Sequence, residues 1–142
     1  DIVEAIPKTL QDNIFDLTQL ILTKKIDQAR DLVKDLTLQG EDEIKLIAIM
    51  LGQFRLYTQV KILQESGQTE SQMVSSLGHY LGRNPNPYQI KFALRDTRAL
   101  SLNFLQDSIR YLIHVDYQIK TGVYEKGYLF EKALLQIASQ SN

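Results

Sequence analysis

Apolar residues recur at the 3.6-residue period of an α-helix along almost the whole of this 142-residue chain. Ile14, Leu17 and Ile21, with Leu20 one step around, form one such stripe. Ile26, Ala29, Leu32, Val33 and Leu36 form a second, and Gly40 stands where a C′ glycine ends a helix. Asp12 or Asn13 is the expected cap of the first helix, and Lys24–Lys25 the basic end that its dipole favours. Only a few residues separate the two stripes, which predicts an antiparallel helical hairpin. A third helix is expected over 41–65, opened by Glu41, Asp42 and Glu43 and broken at Ser66-Gly67. It is apolar nearly all round, the pattern of a helix buried by several neighbours.

Shorter helices are expected over 69–77, 87–100, 101–120 and 124–138. Gly78 to Pro87 is the strongest breaker stretch, with Asn86 as N-cap and Pro87 at the first helical position. Ser101 is placed to cap the next helix, and Thr121-Gly122 to stop it. The last helix carries Tyr128, Leu129, Ala133, Leu134 and Ile137, and the final four residues are expected to fray. No run alternates as a strand does, and no repeat or linker divides the chain. The expected fold is one all-α domain, residues 1–142, of six to seven helices, with residues 77–87 as its main loop and 1–12 as the junction to whatever precedes it.

Composition narrows the function classes. Apolar residues make up 44% and charged residues 23%, which excludes a collagenous, disulfide-stapled or strongly disordered chain. Without cysteine there is no thiolate zinc site and no cysteine nucleophile. The net charge of −1 argues against a dominant polyanion-binding surface and leaves room for a local basic stripe. No signal peptide is visible, and no uninterrupted apolar run approaches about 18 residues. The chain begins at Asp1, without a methionine, as a domain cut from something longer would.

The chemistry-bearing residues are sparse. His79, placed in the breaker loop, and His114, on the sixth helix, have no ligand partner at helical spacing and read as surface or packing histidines. Ser75-Ser76 has no nearby base and no Gly-x-Ser-x-Gly elbow around it. Gly78-His79-Tyr80-Leu81-Gly82 lacks the Lys-Ser/Thr that a phosphate loop needs. Asp12 with Asp16, and Asp42 with Glu43, lie where carboxylates cap or solvate helices rather than where they transfer protons. No metal or cofactor site is expected.

Two features suggest binding instead. Lys91, Arg95 and Arg98 stand at i, i+4 and i+7 on the fifth helix, a stripe able to meet phosphates, a partner's acidic rim or only water. The segment from Asp116 to Tyr124 pairs Asp116 with Lys120 at i, i+4, ends its helix at Gly122 and then presents Tyr124. An exposed tyrosine there can anchor a partner or stack on a base; core packing is the plain alternative.

The order of these features resembles a known family. Phe54-Arg55-Leu56 leads to Val60-Lys61 and then Gly67; Asn86-Pro87-Tyr88-Gln89-Ile90-Lys91 follows the breaker turn. Ser101 opens the helix that reaches Asp116-x-x-x-Lys120-Thr121-Gly122. With Ile14-Phe15-Asp16-Leu17, Ala29, Leu32 and Leu36, this resembles the C-terminal part of the delta subunits of bacterial DNA polymerase III clamp loaders, over nearly the whole chain. The resemblance implies a protein of AAA+ clamp-loader architecture that does not itself hydrolyse ATP. In that family the N-terminal domains engage and open the sliding clamp, and the C-terminal helices join the loader's collar. It implies ATPase and delta-prime subunits as partners, a cytoplasmic, nucleoid-associated site of action, and contact with the clamp only through a missing N-terminal part. On that reading Arg110, Tyr111, Lys120 and Tyr124 are the expected subunit contacts. The runner-up is direct contact with single-stranded template DNA, through Lys120 and Tyr124 or through Lys91, Arg95 and Arg98. A small helical hydrolase is the remaining alternative, and it lacks a visible acid–base constellation.

Overall fold

The structure is a computed structural model that describes residues 9–81 and 87–141. Among the described residues it forms seven α-helices and no strand: α1 (Leu10–Leu22), α2 (Ile26–Leu38), α3 (Glu43–Glu65), α4 (Glu70–Leu81), α5 (Pro87–Thr97), α6 (Leu102–Lys120) and α7 (Lys126–Gln140). The all-α fold class follows directly.

The chain gathers into two compact units. The first holds α1, α2, α3 as far as Leu51, and Tyr111–Ser141; the second is Gly52–Arg110, so α3 and α6 belong partly to each. In the first unit α1 packs on α2, and both pack on α7. The periodic stripes become its core: Ile14, Leu17 and Ile21 of α1, Ala29 and Leu36 of α2, and Leu129, Phe130, Ala133, Leu134 and Ile137 of α7 are all buried. Burying each large aliphatic or aromatic side chain contributes roughly 1.5–3 kcal/mol, so these stripes dominate the unit's stability. By contrast, Arg30 and Glu131 meet at 2.6 Å with side chains about half exposed, a pairing that contributes little.

The second unit is built around Phe54, Tyr57 and Val60 of α3, with Met73 and Leu77 of α4 and Ile90 and Ala93 of α5 buried. Phe54 and Tyr57 meet edge to face, centroids 6.0 Å apart. Lys61 Nζ donates to the Thr97 carbonyl at 2.9 Å, which ties α3 to the end of α5. By length and mean hydropathy (1.2 over an 18-residue window) α3 would pass for a membrane span, a signal that its scattered Lys45, Gln53 and Arg55 hide from a search for unbroken apolar runs. The burial of Leu46, Ile47, Met50, Phe54, Tyr57 and Val60 accounts for that hydropathy as a core helix.

One C-terminal turn recurs. At the ends of α1, α2, α3 and α6 two amides bond back across a left-handed residue, in the Schellman pattern. For α6, Gly122 N donates to the Ile119 carbonyl and Val123 N to that of Gln118, both at 3.2 Å. Three of the four left-handed positions are glycines, as expected from sequence; at α1 it is Lys24, with φ 62°.

Several expected boundaries move. Thr9, not Asp12 or Asn13, caps α1: its hydroxyl accepts from Asp12 N at 3.1 Å, and Asp12 reciprocates from N3 in a capping box. Glu41 and Asp42 precede α3 rather than filling its first turn, and Asp42 accepts from Ile44 N at 2.8 Å. α4 continues through Gly78 to Leu81, which shortens the expected loop from its N-terminal side and puts His79 in the helix's last turn. The Asn86 cap lies outside the described residues. α5 ends at Thr97, whose hydroxyl bonds back to the Ala93 carbonyl at 2.6 Å. Ser101 caps α6 as expected, accepting from Phe104 N at 3.0 Å. α7 begins at Lys126 and runs to Gln140, and Ser141 is buried with its hydroxyl on the Ala138 carbonyl, so the C-terminal residues described are anchored rather than frayed.

Candidate functional site

The C-terminal half of α6, its turn and the start of α7 carry most of the exposed large apolar side chains among the described residues. Leu105, Ser108, Leu112, Val115 and Ile119 are the buried face of α6, spaced by three or four residues. That register turns Ile113 and Tyr117, one turn apart, outward, 46% and 64% exposed. Beyond the Gly122 turn, Val123 and Tyr124 are 53% and 60% exposed, and Tyr128 of α7 is 54% exposed. Tyr124 and Tyr128 form a tilted ring pair, centroids 6.2 Å apart. Glu125 fixes the start of α7 by accepting from Gly127 N at 3.1 Å. Of the eight large apolar side chains exposed among the described residues, five lie between 113 and 128. Concentration of this kind marks an interaction surface more often than scattered exposure does.

Two of the cations of α6 are already paired. Lys120 Nζ lies 2.8 Å from Asp116 Oδ2, and Arg110 Nη1 lies 3.0 Å from Asp107 Oδ1. Both are local helix pairs, of a few tenths of a kcal/mol, so they orient side chains more than they stabilise the fold. Of the four expected contact residues, Tyr124 is well exposed, Arg110 and Lys120 are exposed within ion pairs, and Tyr111 is half-buried. Ile113, Tyr117, Val123 and Tyr128 join them. Leu129, Ala133 and Ile137 take the buried face of α7 and leave Tyr128, expected on the same helix, outside it.

The basic stripe is less regular than its spacing suggests. Arg98 lies in the turn after α5, so the three cations do not share one helix face. Arg95 lies with its guanidinium carbon 4.7 Å from the Phe92 ring centroid and its Nε 3.1 Å from Asp96 Oδ1. Lys91 is exposed. Phe92 is 36% exposed, with the Arg95 guanidinium over its ring.

Across α7's first turn, Lys126 Nζ reaches Asp42 Oδ2 at 2.8 Å. The Lys126 hydrogen bond, helped by the Ile44 amide, holds the Asp42 carboxyl below the usual carboxylate range, and the same bond raises Lys126. No group of three or more His, Cys, Asp or Glu side chains among the described residues is placed to hold a metal. His79 and His114 are both exposed, and Ser76 donates to Gln68 Oε1 at 3.0 Å.

Among the described residues the chain is, as a class, an all-α domain of seven helices. Residues 11–137 match the family model of the DNA polymerase III delta subunit, C-terminal domain, and the chain belongs to that family. It is 32% identical over 141 residues to the DNA polymerase III subunit delta of Bacillus subtilis (strain 168), covering 99% of this chain and 39% of that protein. Among solved structures it resembles the Bacillus subtilis DNA clamp loader delta protein, with a TM-score of 0.85 and 31% identity over 98% of this chain and 39% of that one. The chain thus spans about two-fifths of the length of these relatives.

Proposed function

We propose that this chain is the assembly part of a clamp-loader delta subunit, joining the other loader subunits, the ATPase subunits and delta-prime, in a collar that supports loading of the sliding clamp. It does so without chemistry of its own and acts in the cytoplasm. Contact with the clamp belongs to parts of the subunit outside these residues. The observation that carries this reading is the run of exposed apolar side chains from Ile113 to Tyr128 at one helix end. Tyrosines are the side chains that most often anchor an interface, and burying these against a neighbour supplies affinity without a net charge. The family and the 32% identical relative, itself a DNA polymerase III subunit delta, support it. Native mass spectrometry of the intact subunit with the ATPase and delta-prime subunits tests it: a heteromeric complex is expected, and a protein that stays monomeric beside them overturns it.

A second reading is favoured by the exposed Tyr124–Tyr128 ring pair close in sequence to Lys120. Two accessible rings beside a cation can stack unpaired template bases. Titration of the assembled loader with single-stranded DNA separates the two: Tyr124→Ala and Lys120→Ala should weaken binding and flatten its salt dependence. Unchanged affinity and slope exclude it.

A further inference from the structure

We propose that Asp42 and Lys126 are positioning residues for the exposed tyrosines: their ion pair holds the start of α7, and with it the Tyr124–Tyr128 ring pair, in the pose that a partner subunit meets. This rests on the assembly reading above. Asp42 stands just ahead of α3, and Lys126 is the first residue of α7, 84 residues further along the chain. The two oxygens of the Asp42 carboxylate do different work. Oδ1 accepts from Ile44 N at 2.8 Å, which fixes the carboxylate to the start of α3. Oδ2 accepts from Lys126 Nζ at 2.8 Å, and Glu43 Oε2 lies 3.9 Å from the same nitrogen. The lysine is therefore held by an acceptor that is itself anchored, and it joins the start of α7 to the start of α3.

The segment so anchored is short. The end of α6 is closed by Gly122 N and Val123 N bonding back at 3.2 Å, and only Tyr124 and Glu125 separate that turn from α7. Glu125 accepts from Gly127 N, a bond within the first turn of α7, so it shapes the helix start without fastening it to another element. The bond from Lys126 to Asp42 does fasten it. Tyr124 and Tyr128 flank Lys126, two residues to either side, with ring centroids 6.2 Å apart. Both are more than half exposed, so core packing does little to set their pose. An exposed ion pair adds little to global stability. A restraint at the root of an exposed turn instead reduces the ordering that binding would otherwise have to supply.

The experiment is a double-mutant cycle on assembly of the intact subunit with the ATPase and delta-prime subunits. Lys126→Met removes the charge and keeps the apolar stem; Asp42→Asn removes the charge and keeps an oxygen for the Ile44 amide. Each should raise Kd about two- to fivefold, and the double variant no further than either alone. Lys126→Arg should restore wild-type affinity. Hydrogen exchange of the free subunit reads the same restraint without partners: amides of residues 123–128 should exchange faster in Lys126→Met and return to wild type in Lys126→Arg, with exchange elsewhere unchanged. Tyr124→Ala separates the two readings, since it weakens assembly whether or not the pair positions it. If Tyr124→Ala weakens assembly while the losses at 42 and 126 simply add or are absent, the positioning role is overturned and the assembly reading stands. Exchange at 123–128 that does not change in Lys126→Met also overturns it. Full assembly of Tyr124→Ala overturns the assembly reading and the positioning role together.

Discussion

Gly122 sets the direction in which the chain leaves α6 for the tyrosine-bearing surface, and replacing it isolates one physical cost. Its φ is +70°, in the left-handed region, and a Cβ built there meets no atom within 4 Å. Gly122→Ala therefore introduces backbone strain and no clash. An L residue in this region costs roughly 1–2 kcal/mol, and reduced freedom of the unfolded chain returns about 0.4–1 kcal/mol. The net expectation is a loss of about 1 kcal/mol, or some 2–4 °C in Tm for a chain of this size. The α1 end supplies the mirror experiment. Lys24 holds the same position in the same turn with φ 62°, so Lys24→Gly should stabilise, by up to about 0.5 kcal/mol after the unfolded-state penalty of glycine. Urea denaturation with unchanged m-values is the assay. If Gly122→Ala is neutral, or if Lys24→Gly destabilises, the reasoning from the left-handed turn is wrong. A loss above ~3 kcal/mol for Gly122→Ala would instead mean a steric clash that the open space denies.

Thr9→Ala removes the hydroxyl that accepts from Asp12 N and breaks the capping box; a loss of about 1 kcal/mol is expected in the same denaturation assay. Because the Asp42 carboxyl is depressed by Lys126, its contribution is present above the ordinary carboxylate range and fades as pH falls through the depressed value. Lys126 is raised, so its contribution is present below the usual lysine value and is lost as pH climbs through the raised one. Carbon-detected NMR of the Asp42 carboxyl should show its titration moving up in Lys126→Met; a titration that stays put contradicts the pairing.

Much of this architecture is local and was therefore legible. Helical periodicity, the glycine stops at 40, 67 and 122, and the Ser101 cap each depend on residues within one or two turns. The misplacements arose where tertiary burial outweighed a local signal. Gly78 sits one residue after buried Leu77, and a glycine inside a helix costs only about 1 kcal/mol, so α4 runs on past it. At the end of α5, the buried Thr97 bonds to the Ala93 carbonyl and Leu100 N folds back on the Thr97 carbonyl, which takes Arg98 off the helix and breaks up the apparent basic stripe. The resemblance in the ordered motifs named the family correctly, and the family model spans nearly all of the chain. Which aromatic residues face outward was less accessible, because apolar type alone does not say which face a neighbour covers. For α6 the information was present: once Leu105, Leu112, Val115 and Ile119 are taken as the buried row, Ile113 and Tyr117 fall outside it.

On the proposed function, the chain acts by association through the surface spanning Ile113 to Tyr128. The most direct measurement is sedimentation velocity of the intact subunit, wild type and Tyr117→Ser/Tyr124→Ser, mixed with the other loader subunits. Both tyrosines are more than half exposed, so the variant should keep the wild-type unfolding free energy to within about 0.5 kcal/mol. Wild type should sediment as a complex, while the folded variant fails to join it at the same concentrations. A folded variant that assembles as fully as wild type contradicts it.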